Sequence, residues 1–263
     1  MKIILLSISV LLLCWVPVRK SPQSRIHLFN KKDLTNWDIF LRGKGLNHDE
    51  SNVFSVENGL LHISGELYGG LISKEKYKNF RLVAEYKWGD RTWANRDGHA
   101  RDAGILIHST GLEGAYDHAW MYSIECQIIE GGTGDFIVIG DGSDSFSITC
   151  PVAGQKQDGC YVFRPEGLPA TISGSGRINW LYRDSSWQDV KGFRGKKDLE
   201  KPPGQWNRFE CISHEGEVWL YLNGKVVNHA IKVRPSIGKI QLQSEGAEIY
   251  FRQIDMFPEP DNN

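Results

Sequence analysis

"FSVENGLLHIS", residues 54–64, is two short runs of alternating apolar residues that meet at Asn58-Gly59. Asn-Gly suits the two-residue turn whose central positions both take positive φ, and the alternation on either side asks for one buried face. The stretch therefore reads as a β-hairpin, and the same pattern recurs outward from it. "FRLVAEYKW" (80–88) sets Leu82, Ala84 and Tyr86 against Arg81, Val83, Glu85 and Lys87. "DAGILIHS" (102–109) sets Ala103, Ile105 and Ile107 on one face and Asp102, Gly104, Leu106 and His108 on the other. Nearer the C-terminus, "QWNRFECIS" (205–213), "EVWLYLNGKVVNHA" (217–230) and "IGKIQLQSEGAEIYFRQIDMF" (237–257) continue the pattern. No segment sustains a 3.6-residue period, and Gly, Asn and Asp separate the runs. The expectation is an all-β protein, an antiparallel two-sheet jelly-roll sandwich forming a single domain over residues 23–258.

The 263 residues carry 31 Lys+Arg against 32 Asp+Glu, for a formal net charge of -1. That balance gives no electrostatic reason to expect nucleic acid as a partner. Nine Trp and 28 Gly suit short strands joined by turns, with aromatics left over for a ligand surface. Residues 1–22 read as a signal peptide and linker. Met1-Lys2 precedes an apolar run from Ile3 to Val16, too short for a membrane span, and a polar stretch follows. The expectation is export, to the periplasm or beyond the cell, with no membrane-spanning segment. Cys14 stands where a lipid-anchoring cysteine would, although Leu13 before it is bulkier than such processing prefers. In an oxidising compartment Cys150 and Cys160 could close the loop between them as a disulfide, whereas Cys126 and Cys211 lie on apolar strand faces as packed thiols.

Two polar insertions, 89–102 and 183–205, mix Trp with Arg, Asp, His and Gly, as ligand-binding loops do. The other unusual stretch is "SIECQIIEGGTGDF" (123–136), in which Glu125, Gln127 and Glu130 form the pattern E-x-Q-x-x-E. It resembles the E-x-D-x-x-E catalytic strand of laminarinase- and lichenase-type glucanases. Two differences argue against that mechanism. Residues five apart on a regular strand point to opposite faces, while retaining hydrolysis needs its carboxyls roughly 5 Å apart. Gln127 also cannot ionise. Glu130 is accordingly expected to be a turn residue that satisfies the amides of Gly131 to Gly134, and Glu125 remains the candidate catalyst.

"LFNKKDLTNW", "DAGILIH", "SIECQIIEGGTGDF", "PPGQWNRFECI", "VWLYLNGKVVN" and "GKIQLQSEGAEIYFRQI" occur in this order, and together they resemble the 3-keto-disaccharide hydrolase domain family. The resemblance implies a concanavalin A-like jelly roll of the lectin and glucanase type, exported, and acting on glycosides whose sugar carries a 3-keto group. Such a substrate needs a base near neutral pKa, an electrophile for the developing enolate and a proton donor for the leaving group. Glu125 is the candidate base, with His108 and Asp102 polarising or transferring protons. Asp102, His108 and Glu125 would also make an oxygen and nitrogen ligand set for a divalent metal ion. Gln127 and Gln243 would orient hydroxyls. Trp93, Arg96, His118, Trp120 and Trp187 suit sugar stacking and hydrogen bonding. The expected partner is an oligosaccharide or glycoside. The alternative is a non-catalytic, lectin-like carbohydrate-binding module that uses the same face.

Overall fold

The computed structural model describes residues 24–260. The signal peptide expected over 1–22, Cys14 included, lies outside the described residues. Strands account for nearly all regular structure, the exception being one short 3-10 turn at Ala94–Arg96. The smaller sheet holds β2 (Trp37–Leu41), β3 (Gly45–Leu46), β6 (Gly69–Ser73), β8 (Asp102–Thr110), β9 (Tyr122–Ile129), β10 (Phe136–Ile139), β12 (Tyr161–Val162), β14 (Arg177–Asn179) and β18 (Lys239–Ser244). Its order across the sheet is β12-β14-β10-β9-β8-β18-β6-β2-β3. The larger sheet holds β1 (Ile26–His27), β4 (Phe54–Glu57), β5 (Leu60–Ile63), β7 (Phe80–Thr92), β11 (Ser147–Val152), β13 (Leu168–Ser173), β15 (Asn207–His214), β16 (Glu217–Leu222), β17 (Lys225–Arg234) and β19 (Ala247–Pro258). Here the order is β13-β11-β17-β16-β15-β7-β19-β5-β4, with β1 alongside β19. Apart from the parallel β12–β14 pair, neighbours run antiparallel, as the hairpin grammar predicts.

The hairpin at 54–64 forms as read, with Phe54 opposite Ile63 and Glu57 opposite Leu60. Asn58 and Gly59 have φ of 52° and 75°, the left-handed pair that a two-residue hairpin turn demands. Alternation then decides what is buried. Leu82, Ala84 and Tyr86 of β7 meet Ala103, Ile105, Ile107, Ile124, Cys126 and Ile128 of β8 and β9 in one core. Cys126 Sγ lies 4.0 Å from Cys211 Sγ, so the inner faces of the two sheets touch there as packed free thiols.

The disulfide expected between Cys150 and Cys160 does not form; both are free. The reason is geometric. Cys150 is buried in the core from the middle of β11, whereas Cys160 sits in a turn closed by its own backbone bonds with Gln157. The two polar insertions clasp each other. Asp189 receives both terminal nitrogens of Arg96, at 3.0 and 2.8 Å, and the Lys191 amide donates to Gly98. Among the described residues, no helix is long and apolar enough to cross a membrane.

Candidate active site

A cleft of about 640 Å³ opens on the outer face of the smaller sheet. Its floor is built by strand parity. The β9 residues with odd numbers, Glu125 and Gln127, point outward while Ile124, Cys126 and Ile128 enter the core. Across the sheet, Gln243 of β18 and Glu245 just beyond it point the same way. Gly104 of β8 lies between these strands, and its lack of a side chain makes the site. A Cβ there would stand 2.2 Å from Gln243 Oε1 and 2.8 Å from Glu125 Oε1. Trp120 forms one wall, fixed by its indole N–H bond of 2.9 Å to the Gly69 carbonyl. It packs with Leu106, Ala119, Tyr68 and Tyr116 in a small cluster separate from the main core. Asn95 holds the Tyr68 hydroxyl at 2.8 Å, and Arg96 arrives from the first insertion.

The floor is rich in acceptor atoms turned toward the cleft, with the Gln243 side chain also serving Glu125. Glu125 Oε1, Gln127 Oε1 and Gln243 Oε1 on the floor, and Asp102 Oδ1 beside it, are buried without a partner for that atom. Leaving a buried acceptor unmade is costly, so three together on one floor mark a surface shaped for donors that arrive from outside, such as sugar hydroxyls. The same crowding disturbs the acids. Burial first, and then the charge of Asp102, hold Glu125 well above the usual carboxylate range, against the opposing pull of Arg177. Burial likewise raises Asp102, with Arg96 and Arg177 acting the other way. Glu245 is pushed up by burial and then by Asp102 and Glu125. Each of the three carboxyls makes it harder for the others to ionise, an arrangement that sets apart groups able to serve as base and as acid.

Residues 24–256 match the 3-keto-alpha-glucoside-1,2-lyase-like domain family. The chain belongs to that family. Its function is therefore carbohydrate-related, and the cleft on the smaller sheet is where this chain presents polar chemistry suited to a sugar. A Parabacteroides distasonis ATCC 8503 protein described as a candidate glycosyl hydrolase, solved at 1.70 Å, shares 18% identity and a TM-score of 0.52. The match covers 90% of this chain and 94% of that one. A second structure so described from the same organism, at 2.00 Å, gives a TM-score of 0.50 at 18% identity, covering 90% of this chain and 100% of its own. At such identity the likeness shows the jelly-roll fold alone. A comparison with curated proteins found no match.

Of the residues proposed from sequence, Glu125, Gln127, Gln243, Arg96 and Trp120 line the cleft of this family member. Asp102 lies beside it, with Arg96 Nη2 at 3.7 Å from its Oδ2. His108 does not join them. A bulge breaks the register of β8 between Ile107 and Thr110, and His108 takes a φ of 54° inside it. Its side chain is thereby turned inward between the sheets, 3.1 Å from Ser213 Oγ, with Nδ1 donating to the Pro235 carbonyl at 2.8 Å. The ligand set of Asp102, His108 and Glu125 is therefore not assembled, and among the described residues no three His, Cys, Asp or Glu side chains are grouped to hold a metal ion.

Three loop aromatics also sit elsewhere. Trp93 donates to the Ser64 carbonyl, Trp187 donates to the Glu130 carbonyl beneath Arg183, and His118 is exposed outside the lining. Glu130 is structural, but not through the glycine amides expected to hold it. Arg101 binds it through both the backbone amide, at 2.9 Å, and Nη1, at 2.6 Å. The glucanase pair is thus absent. Sequence reading missed Glu245, Tyr68 and Arg177. Glu245 follows "LQS" with the outward parity of Gln243, a signal that was available. Arg177 comes from β14, distant in sequence, and is held at 2.9 Å by Asp135.

Proposed function

We infer that the cleft cleaves glycosides whose sugar carries a ketone at C3, with Glu125 as the base. What carries this reading is one observation: two raised carboxyls, Glu125 and Glu245, share a single floor with the buried acceptors of Gln127 and Gln243. A C3 carbonyl acidifies the C2 proton. An ionised Glu125, made strongly basic by burial, takes that proton, and the electron pair of the C2–H bond becomes the enolate. Collapse of the enolate restores the ketone, forms the C1–C2 double bond and breaks the C1–O bond. The departing oxygen takes a proton from Glu245, which burial and the charges of Asp102 and Glu125 favour in its protonated form. Addition of water across C1–C2 then gives net hydrolysis. Gln127 and Gln243 accept from ring hydroxyls, Arg96 supplies positive charge near the enolate, and Trp120 with Tyr68 offers a wall for the sugar face. Export to the periplasm or the medium, from the signal read over 1–22, belongs to the same proposal.

The deciding experiment incubates purified protein with a disaccharide and with its 3-keto derivative, and follows released sugar. Release from the 3-keto form alone supports the reading. Equal release from both substrates overturns the keto requirement. Saturable binding without release from either makes the protein a sugar-binding module.

A further inference from the structure

The outer face of the larger sheet, opposite the cleft, carries a second depression of about 410 Å³, lined in part by Glu85, Lys201, Trp206, Arg208 and Arg252. Nothing in the proposed chemistry uses it. Lys87, Lys201, Arg208 and Arg252 gather four positive charges against two acids, Glu85 in the lining and Glu210 bound to Arg208, in a chain whose net charge is -1. The indole of Trp206 is half-buried among them, with the Arg252 guanidinium carbon 4.7 Å and the Lys87 ammonium 5.2 Å from its ring centre.

The way the two arginines are held is more telling than their number. Arg252 is anchored through Nε, which donates to Glu85 Oε2 at 2.6 Å. Arg208 is anchored through Nε to Glu210 Oε1 at 2.9 Å, and its Nη1 lies 3.9 Å from Glu85. In both cases the anchor fixes the plane of the guanidinium, while the terminal amino groups make no hydrogen bond among the described residues. A guanidinium held by its Nε presents its open end as a fork, and that fork matches the two oxygens of a carboxylate. Trp206, although Arg252 and Lys87 lie against its ring, still lines the depression and offers apolar surface to the C–H groups of a pyranose.

We propose that this depression is a second glycan-binding site, selective for an acidic sugar unit such as a uronate, which tethers the protein to polysaccharide while the cleft works on a separate residue. An anion alone would use the arginines and leave Trp206 idle. A neutral sugar would use Trp206 and leave the four cations idle. The uronate uses both.

The test is titration of the full chain with trigalacturonate, a neutral galactotriose and inorganic phosphate, followed by calorimetry at low and high salt. Trigalacturonate is expected to bind saturably, more weakly as salt rises, and to lose about tenfold or more in affinity in Arg252→Gln and Lys201→Gln. Glu125→Gln, in the cleft, is expected to leave that binding unchanged, and Arg252→Gln to leave sugar release unchanged. Because Trp206→Leu could disturb packing, the two surface variants carry the test. No binding by the native chain, equal binding of galactotriose or of phosphate, or loss of binding in Glu125→Gln each overturns the proposal. The readout is binding, so it stands or falls independently of whether the cleft cleaves 3-keto sugars.

Discussion

A glutamate in water is a feeble base toward carbon, because its proton leaves in the ordinary carboxylate range. At Glu125, burial and the neighbouring Asp102 raise that affinity, so the same side chain becomes a base suited to a C2 proton. Replacing Glu125 by Gln keeps the shape and removes the base. Turnover of a 3-keto disaccharide is expected to fall by about 10² to 10⁴, with the thermal unfolding midpoint unchanged or raised, since a buried ionisable group has gone. Activity within about twofold of the native chain would remove Glu125 from the mechanism. The pH profile tests the environment rather than the residue. A base must be ionised to act, so the acid limb of kcat/KM belongs well above the usual carboxylate range. Asp102 contributes to that rise through its charge, and Asp102→Asn is expected to move the limb to lower pH. A limb that stays in place would show that Asp102 does not set the basicity of Glu125.

Strand β8 shows how an element makes a site by what it omits and where it breaks. Gly104 leaves room for Glu125 and Gln243 to lie over the sheet. Gly104→Ala forces its new methyl against Gln243 Oε1, Gln243 Cδ and Glu125 Oε1. Both groups are side-chain ends that can swing aside, so the loss of stability is expected to be small. Positioning suffers more: kcat/KM is expected to fall by about 10- to 100-fold, since a shift of about 1 Å costs that order. An unfolding midpoint that collapses while the remaining folded enzyme works normally would refute this division. The same strand explains what the sequence could and could not tell. Counting by two from Ile105 and Ile107 places Asp102, Gly104 and Leu106 on the outer face correctly, because β8 is regular that far. It then places His108 outward and fails, because a bulge adds a residue and reverses the parity. Nothing in "ILIHST" announces the bulge. It comes from the pairing of β8 with β9, a tertiary property. Glu245 is the opposite case, since continuing the alternation of β18 past Ser244 would have reached it.

At the scale of the whole sandwich, the two sheets enclose ionisable groups whose protons belong to the fold. Local alternation made the two-sheet core legible, but which polar groups the sheets trap depends on strands far apart in the chain: β8 supplies His108, β15 supplies Ser213, and Phe80 of β7 meets the imidazole edge at 5.8 Å between ring centres. Burial lowers the His108 pKa from 6.5 to about 4. In the unfolded chain His108 takes a proton below its ordinary pKa, while in the folded chain it stays neutral down to about 4. The unfolded state therefore binds more protons in that window, and stability falls as pH drops through it. Glu200 acts in the other direction. It is held by the Tyr86 hydroxyl at 2.5 Å and the Trp88 indole at 2.8 Å, and burial raises it to about 8. The folded state thus keeps a proton that the unfolded chain has lost, so the stability tied to Glu200 is present at low pH and fades as pH rises toward 8. Because the two effects oppose, the native profile alone cannot isolate either, and the comparison needs a variant. His108→Asn suits it, since Asn tolerates the positive φ and can still donate to Pro235, yet does not titrate. In urea unfolding, the native chain's advantage over His108→Asn is expected to shrink by about 2–3 kcal/mol between pH 7.5 and pH 4.5. A gap that stays constant across that range would mean that His108 is protonated between the sheets and that the two halves of the sandwich part there more readily than their packing implies.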